Sequence, residues 1–225
     1  MLENSSDIYV LTESKDSEGC KYIYNSMTKR GWNGCFPSPN HRNLGVIMLS
    51  KYDIKGIDYL YDRDDELYGR YIEIKIDNNG EVVTIVGVYV PSRDRSEAKI
   101  NRKKRFVNDV CMRLPYFPKH TVICGDFNII SREHFPKYNA FFKWEYDMFD
   151  ILKENRYIES YNCLYPGKQV YSWIGRTGNG YKYDYVFVSQ SMKKLIQTCS
   201  YIDTTREGDC KLTDHSAVEI KLQIG

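Results

Sequence analysis

The chain has 225 residues, 42% hydrophobic and 28% charged, with a formal net charge of +2. That balance excludes a disordered or low-complexity chain, and no apolar run approaches membrane-spanning length. A charge so near zero does not by itself announce a nucleic-acid binder. The length allows one ordinary or large domain, or at most two small ones. No linker, repeat or biased segment divides it, so residues 1–225 are expected to form a single domain. Seven cysteines are scattered without the short paired spacings of zinc or redox motifs. Met1 to Ser6 is polar and carries no leader signature. Reduced thiols in a cytoplasmic protein are the expectation.

The apolar patterns, in chain order, read as short strands and a few helices. Ile8 to Thr12 is a short strand. Gly45 to Ser50 is nearly continuous in apolar character, as expected for a strand buried on both faces. Tyr71 to Ile76 alternates, with Ile72, Ile74 and Ile76 on one side. Val82 to Val90 is long and β-branched, and Asn78-Asn79-Gly80 between the two is a hairpin signal. Ser96 to Leu114 has helical spacing, with Ile100, Val107, Val110, Cys111 and Leu114 on one face, and Pro115 and Pro118 end it. Strand Thr121 to Cys124 follows. Phe141 to Asn155 reads as a helix with Phe141, Glu145, Met148 and Leu152 in one row. Tyr185 to Ser189 reads as a strand, Met192 to Thr198 as a short helix, and Ala217 to Leu222 as a final strand. Helices interspersed among strands, some hairpin-linked, predict mixed sheets covered by helices.

The residues suited to chemistry sit at the ends of these strands. Gly125-Asp126-Phe127-Asn128 follows the run Thr121 to Cys124. The spacing of two puts Asp126 and Asn128 on one side of extended backbone, and Gly125 lets that backbone pass close to a neighbour. A carboxylate and an amide side by side suit a hydrated divalent metal and an attacking water, although the same pattern also makes ordinary turns. Glu13 ends the first strand, Tyr89 precedes Val90-Pro91, Asp184 opens Tyr185 to Ser189, and Asp214-His215 precedes the last strand. Each alone has an ordinary structural explanation: a solvated carboxylate, a packing contact, a turn cap. Their joint occurrence, each beside an apolar strand, is the stronger signal. From Arg93 to Arg105 seven basic residues face two acidic ones, which fits either a solvated helix face or a phosphate-facing surface.

This set resembles the endonuclease/exonuclease/phosphatase superfamily from about Asp7 to Ile224. The specific pieces are Gly125-Asp126-Phe127-Asn128 and Thr213-Asp214-His215-Ser216, supported by Tyr171-Ser172-Trp173, Arg176 and Tyr183-Asp184-Tyr185. The resemblance implies a DNase-like α/β fold, a four-layer sandwich of two mixed sheets flanked by helices. It implies Mg²⁺ or Mn²⁺ as cofactor, with Glu13 as main metal ligand and Asp214 on the metal side. Asp126 would orient or deprotonate the water, with Asn128 beside it. His215 would contact the scissile phosphate, steadied by Asp184, and Tyr89 would donate its hydroxyl to the phosphate. Tyrosine followed by proline at position 89 is similar to the AP endonuclease and exonuclease III branch, which favours a nucleic acid as substrate. Trp173, Tyr171, Arg176 and Arg93 are the candidate substrate contacts, with core packing the competing role for Trp173.

The family pattern opens with a strand ending in asparagine, with a helix after it, before the glutamate strand, and this sequence is expected to lack that element, through either a shortened reading frame or loss of the element itself. Only twelve residues precede Glu13, and Asn4 stands at the wrong distance. A sheet edge left that way is expected to be covered by a partner, a second copy or a rearranged terminus. The expected function is a metal-dependent nuclease acting on DNA, with RNA as a further substrate. Two other readings stand beside it: a phosphatase or phosphodiesterase acting on a small or lipid phosphoester, and a catalytically weakened member that binds nucleic acid or protein.

Overall fold

A computed structural model describes residues 6–39, 43–78, 80–208 and 211–224. Asn4 therefore lies outside the described residues. The chain falls into two compact units, Met1–Tyr89 with His120–Gly125, and Val90–Lys119 with Asp126–Gly225.

The first unit holds β1 (Ile8–Ser14), α1 (Glu18–Thr28), β2 (Asn33–Cys35), β3 (Gly45–Ser50), β4 (Ile54–Tyr59), β5 (Tyr71–Asn78), β6 (Glu81–Tyr89) and β7 (Thr121–Asp126). β1, β3 and β2 form a three-stranded antiparallel sheet with β1 as an outer strand. β4 to β7 lie side by side in chain order, and β4–β5 and β5–β6 are antiparallel. Every residue of β3 is buried, as its unbroken apolar run predicts. The hairpin expected at Asn78–Gly80 is present in the pairing of Asn78 with Glu81; Asn79 itself lies outside the described residues.

The two sheets of this unit approach closely at Gly87 on β6. A Cβ there would fall 2.9 Å from Val10 Cγ1 and 3.1 Å from Val46 Cγ1, so only glycine lets the layers meet. Helix α1 covers the smaller sheet. Met27, Ile47 and Leu49 are buried there among Tyr9, Leu11, Tyr24 and Trp32. Apolar spacing does not announce α1, because Met27 is its single buried residue. Its start is set instead by Ser17, whose hydroxyl accepts the N–H of Cys20 at 3.3 Å.

The second unit holds α2 (Glu97–Arg113), α3 (Lys143–Glu154), β8 (Tyr157–Glu159), α4 (Ser160–Leu164), β9 (Trp173–Ile174), β10 (Gly180–Tyr181), β11 (Asp184–Ser189), β12 (Ile196–Ile202) and β13 (Ala217–Leu222). β8 pairs with β11, β9 with β10 and β12 with β13, all antiparallel. α2 packs on α3, and α4 lies against β11 and β12. An aromatic cluster of Phe127, Phe149, Tyr185 and Phe187 fills the interior, with ring centroids 4.8–5.8 Å apart.

Two expectations are corrected here. Met192 to Thr198 is helical only in its first part: a 3₁₀ helix over Gln190–Leu195 gives way to strand β12 from Ile196. A register shift between Ile196 and Thr198 leaves Ile196 and Cys199 as the buried positions, so a bulged strand carries a helix-like spacing. The buried face of α2 is Lys103, Phe106, Val107 and Val110 rather than the purely apolar row, with Ile100 and Cys111 only half-buried.

Candidate active site

In the first unit, Glu13 sits where the β1 ladder shifts register between Leu11 and Ser14. Its φ is 57°, an uncommon backbone for a side chain that is not glycine, and the bulge turns its carboxylate out to solvent. Ser14 closes the bulge by donating to the Leu11 carbonyl at 2.9 Å. Tyr89 is buried at the end of β6, and its hydroxyl donates to Glu13 Oε1 at 3.0 Å. Arg70 fixes the ring from behind, with its guanidinium 4.6 Å from the ring centroid and Nη1 donating to the Tyr89 carbonyl at 3.4 Å.

β7 leaves this unit through Gly125, whose φ is 138°. A Cβ on Gly125 would fall 2.0 Å from the Val88 carbonyl oxygen, so no other residue is tolerated without moving the strand.

In the second unit, Asp126 is 1% exposed and its carboxylate is fixed at both oxygens. The Asn128 backbone N–H donates to Oδ1 at 2.8 Å, and Asn128 Nδ2 donates to Oδ2 at 2.9 Å. Nδ2 also donates to the Val90 carbonyl at 3.0 Å. With both amide N–H groups engaged, the Asn128 side-chain oxygen is left to accept from a water. Asn128 has a φ of 48°.

Asp184 begins β11 with its backbone tied down. Its N–H, with that of Tyr183, donates to Ser172 Oγ at 3.1 and 2.9 Å, and its carbonyl accepts the Tyr201 hydroxyl at 2.6 Å. Its Oδ2 lies 2.7 Å from His215 Nδ1. Burial alone would lower the affinity of His215 for its proton. The hydrogen bond and charge of Asp184, with Asp126 and Asp214 adding to them, outweigh burial and push its pKa up to about 9. His215 is therefore an imidazolium at neutral pH. A ring nitrogen of His215 and the Asp126 carboxylate lie within 4.8 Å of one another. Next door, the Trp173 indole N–H donates to Asp214 Oδ2 at 2.9 Å. Burial opposes ionisation of Asp214, but this bond and His215 hold its pKa below the usual carboxylate value.

The remaining candidates are placed differently. Trp173 is half-buried and begins an aromatic row with Tyr181 and Tyr183, at 5.5 and 5.8 Å. Tyr171 is half-buried with its hydroxyl on the Phe135 carbonyl at 2.9 Å, and Arg176 is exposed between β9 and β10. Arg93 is not displayed to solvent. It is ion-paired with Glu145, and Nη2 donates to the Ala140 carbonyl at 2.7 Å. Lys103, in the same basic run, is 1% exposed, so two of its seven cations point inward. Tyr201 supports the site although nothing in its local sequence signals that role, and Ser172, within Tyr171-Ser172-Trp173, braces a segment that comes to it only on folding. A surface depression lined by Leu114, Phe117, Lys119, Arg156 and Ser191 contains none of the candidate residues.

Within the second unit Asp126 offers a carboxylate oxygen within 4.8 Å of a His215 ring nitrogen. Carboxylate oxygens are the ligands that Mg²⁺ and Mn²⁺ prefer, and Glu13 in the first unit carries the same kind of donor.

Solved structures share this mixed α/β architecture, with sheets covered by helices. A 3′ phosphatase from Neisseria bound to a product DNA hairpin superposes with a TM-score of 0.84 at 19% identity, over 99% of this chain and 91% of that one. A 3′-5′ exonuclease from Neisseria meningitidis gives 0.83 at 20% identity, over 99% and 91%. An AP endonuclease from Archaeoglobus fulgidus gives 0.79 at 19% identity, over 99% and 91%. The sequence profile of the Endonuclease/Exonuclease/phosphatase family matches residues 2–215, and the chain belongs to that family. It is also 26% identical over 248 residues to an exodeoxyribonuclease from Bacillus subtilis (strain 168), covering 100% of this chain and 91% of that protein.

Proposed function

We propose that this protein is a divalent-metal-dependent phosphodiesterase that hydrolyses DNA. The observation that carries the reading is the Asp184–His215 couple, with the fixed Asp126 carboxylate near the same imidazole. Membership of the family and the likeness to an exodeoxyribonuclease support it, and so does the likeness to a phosphatase bound to a DNA hairpin.

In this reading Asp126 is the base. Its carboxylate takes a proton from a water that the Asn128 side-chain oxygen orients in line with the phosphorus. His215 is charged and donates to a phosphoryl oxygen, where negative charge builds up. Asp184 holds its orientation and charge. Tyr89, its ring held by Arg70, becomes a second donor toward the phosphate when its hydroxyl turns from Glu13 to the substrate. Glu13 would be the main metal ligand, with Asp214 on the metal side. A bound Mg²⁺ or Mn²⁺ would supply neutralisation of phosphoryl charge and a lowered pKa for water. Trp173 and Tyr171 stack on a nucleobase or sugar at the groove, and Arg176 meets a backbone phosphate. Arg93 contributes from beneath, through Glu145. The six described cysteines are free thiols, which supports a cytoplasmic setting. Among the described residues no helix is long and apolar enough to cross a membrane.

Removal of a phosphate from a DNA 3′ end is a second reading, favoured by the likeness to the Neisseria 3′ phosphatase. The deciding assay offers single-stranded, duplex, abasic and 3′-phosphorylated DNA, RNA and small phosphoesters to the metal-free protein, then adds Mg²⁺ or Mn²⁺. Release of nucleotides from DNA, abolished by a chelator, is the expected result. Release of inorganic phosphate alone selects the second reading, and no metal-dependent turnover of any substrate overturns both.

A further inference from the structure

α2 carries a charge into the interior directly beneath the Asp126–Asn128 turn. Lys103 Nζ donates to the Asn128 carbonyl and to Glu145 Oε1, both at 2.7 Å. Glu145, in the first turn of α3, is fully buried. Besides Lys103 it accepts from Arg93 and from the Phe142 backbone N–H, the latter at 2.8 Å. An ion pair in this position is expensive to desolvate, and apolar residues of similar size often serve stability as well or better. Stability alone therefore gives no reason for a lysine at this point of α2. What the lysine does that a leucine cannot is hold a carbonyl. That carbonyl belongs to a residue with a φ of 48°, in the conformation that lets Asn128 give its backbone N–H and one side-chain N–H to Asp126.

We propose that Lys103, anchored by Glu145, is a positioning residue that clamps the Asn128 carbonyl and so fixes the Asp126 carboxylate for water activation. The inference rests on the functional reading above for its catalytic consequence, but the clamp itself is a property of the free protein. Three elements meet at one ammonium group: α2 through Lys103, α3 through Glu145 and the turn after β7 through Asn128. Loss of the ammonium releases the turn and the α2–α3 ion pair, but Glu145 keeps its pairing with Arg93, which precedes α2, so α3 is not left with a bare buried charge.

The test compares Lys103→Met, Lys103→Gln and Lys103→Arg with the unmodified chain. Two things are measured: the amide proton and nitrogen resonances of Asn128 in the metal-free protein, and kcat and KM on DNA with Mg²⁺. The expected result for Lys103→Met is a folded protein with displaced Asn128 resonances, kcat lower by roughly 10- to 100-fold and KM within about threefold. Lys103→Arg is expected to restore part of both signals. Where Lys103→Met does not fold, Lys103→Gln decides the matter, since it keeps a polar head in the interior but removes the charge and shortens the reach to the Asn128 carbonyl. Folded variants with unmoved Asn128 resonances and unchanged kcat overturn the clamp. Displaced resonances in a protein that never cleaves DNA uphold the clamp and overturn the functional reading instead.

Discussion

His215 Nδ1 donates to Asp184 Oδ2 at 2.7 Å, and that bond keeps the imidazole charged near neutrality. The backbone of Asp184 is braced separately by Ser172 and Tyr201, so the carboxylate can be altered without loosening its strand. Asp184→Asn is expected to keep the fold and lower kcat on DNA by about 10²- to 10⁴-fold. Steady-state kinetics with thermal melts check this; an unchanged kcat in a folded variant removes His215 from the chemistry.

The same pair sets a pH dependence of stability. In the fold His215 holds its proton up to about pH 9, against 6.5 for an ordinary histidine. The folded state therefore binds that proton more tightly than the unfolded one. Its stabilisation is complete below about pH 6.5, shrinks as the pH rises and is lost above about 9. The Tm gap between the unmodified chain and His215→Gln, measured without metal, is expected to be larger near pH 6 than near pH 10. A gap that widens with pH contradicts this assignment.

Much of this site is legible in the sequence as a list and little of it as geometry. Gly125-Asp126-Phe127-Asn128 stands out because an apolar strand precedes it, and Asp184 and His215 stand out because an apolar strand follows each. The positive φ values of Glu13 and Asn128 leave no trace in the sequence, because they are imposed by a bulge and by a clamp from another element. Lys103 and Glu145, 42 residues apart, read as a solvated cation and a helix-face acid; only the packing of α2 on α3 brings them together. In the fold, strands with clean alternation or unbroken apolar runs are read correctly. β12 is misread because its bulge gives a spacing of three, and α1 is missed because it buries so little.

Asp126 and Asn128 are expected to act as one unit, since two hydrogen bonds join them. Asp126→Asn should remove roughly 10³-fold or more of kcat, and Asn128→Ala roughly 10²-fold. In the double variant the losses should combine far less than additively. Strict additivity in the double-mutant cycle would mean that Asn128 does not work through Asp126.

Gly125 tests how closely β7 passes its neighbour. A Cβ at this position would meet the Val88 carbonyl oxygen at 2.0 Å, and that oxygen is backbone, which cannot rotate aside as a side chain would. The φ of 138° adds strain for any residue with a Cβ. Gly125→Ala is expected to cost about 4 kcal/mol, lowering Tm by roughly 10 °C for a chain of this length. Because β7 delivers Asp126, kcat should fall even where the protein stays folded. Thermal melts and kinetics on the same sample separate the two effects. A variant that melts normally would show that β7 can move away from Val88 at little cost.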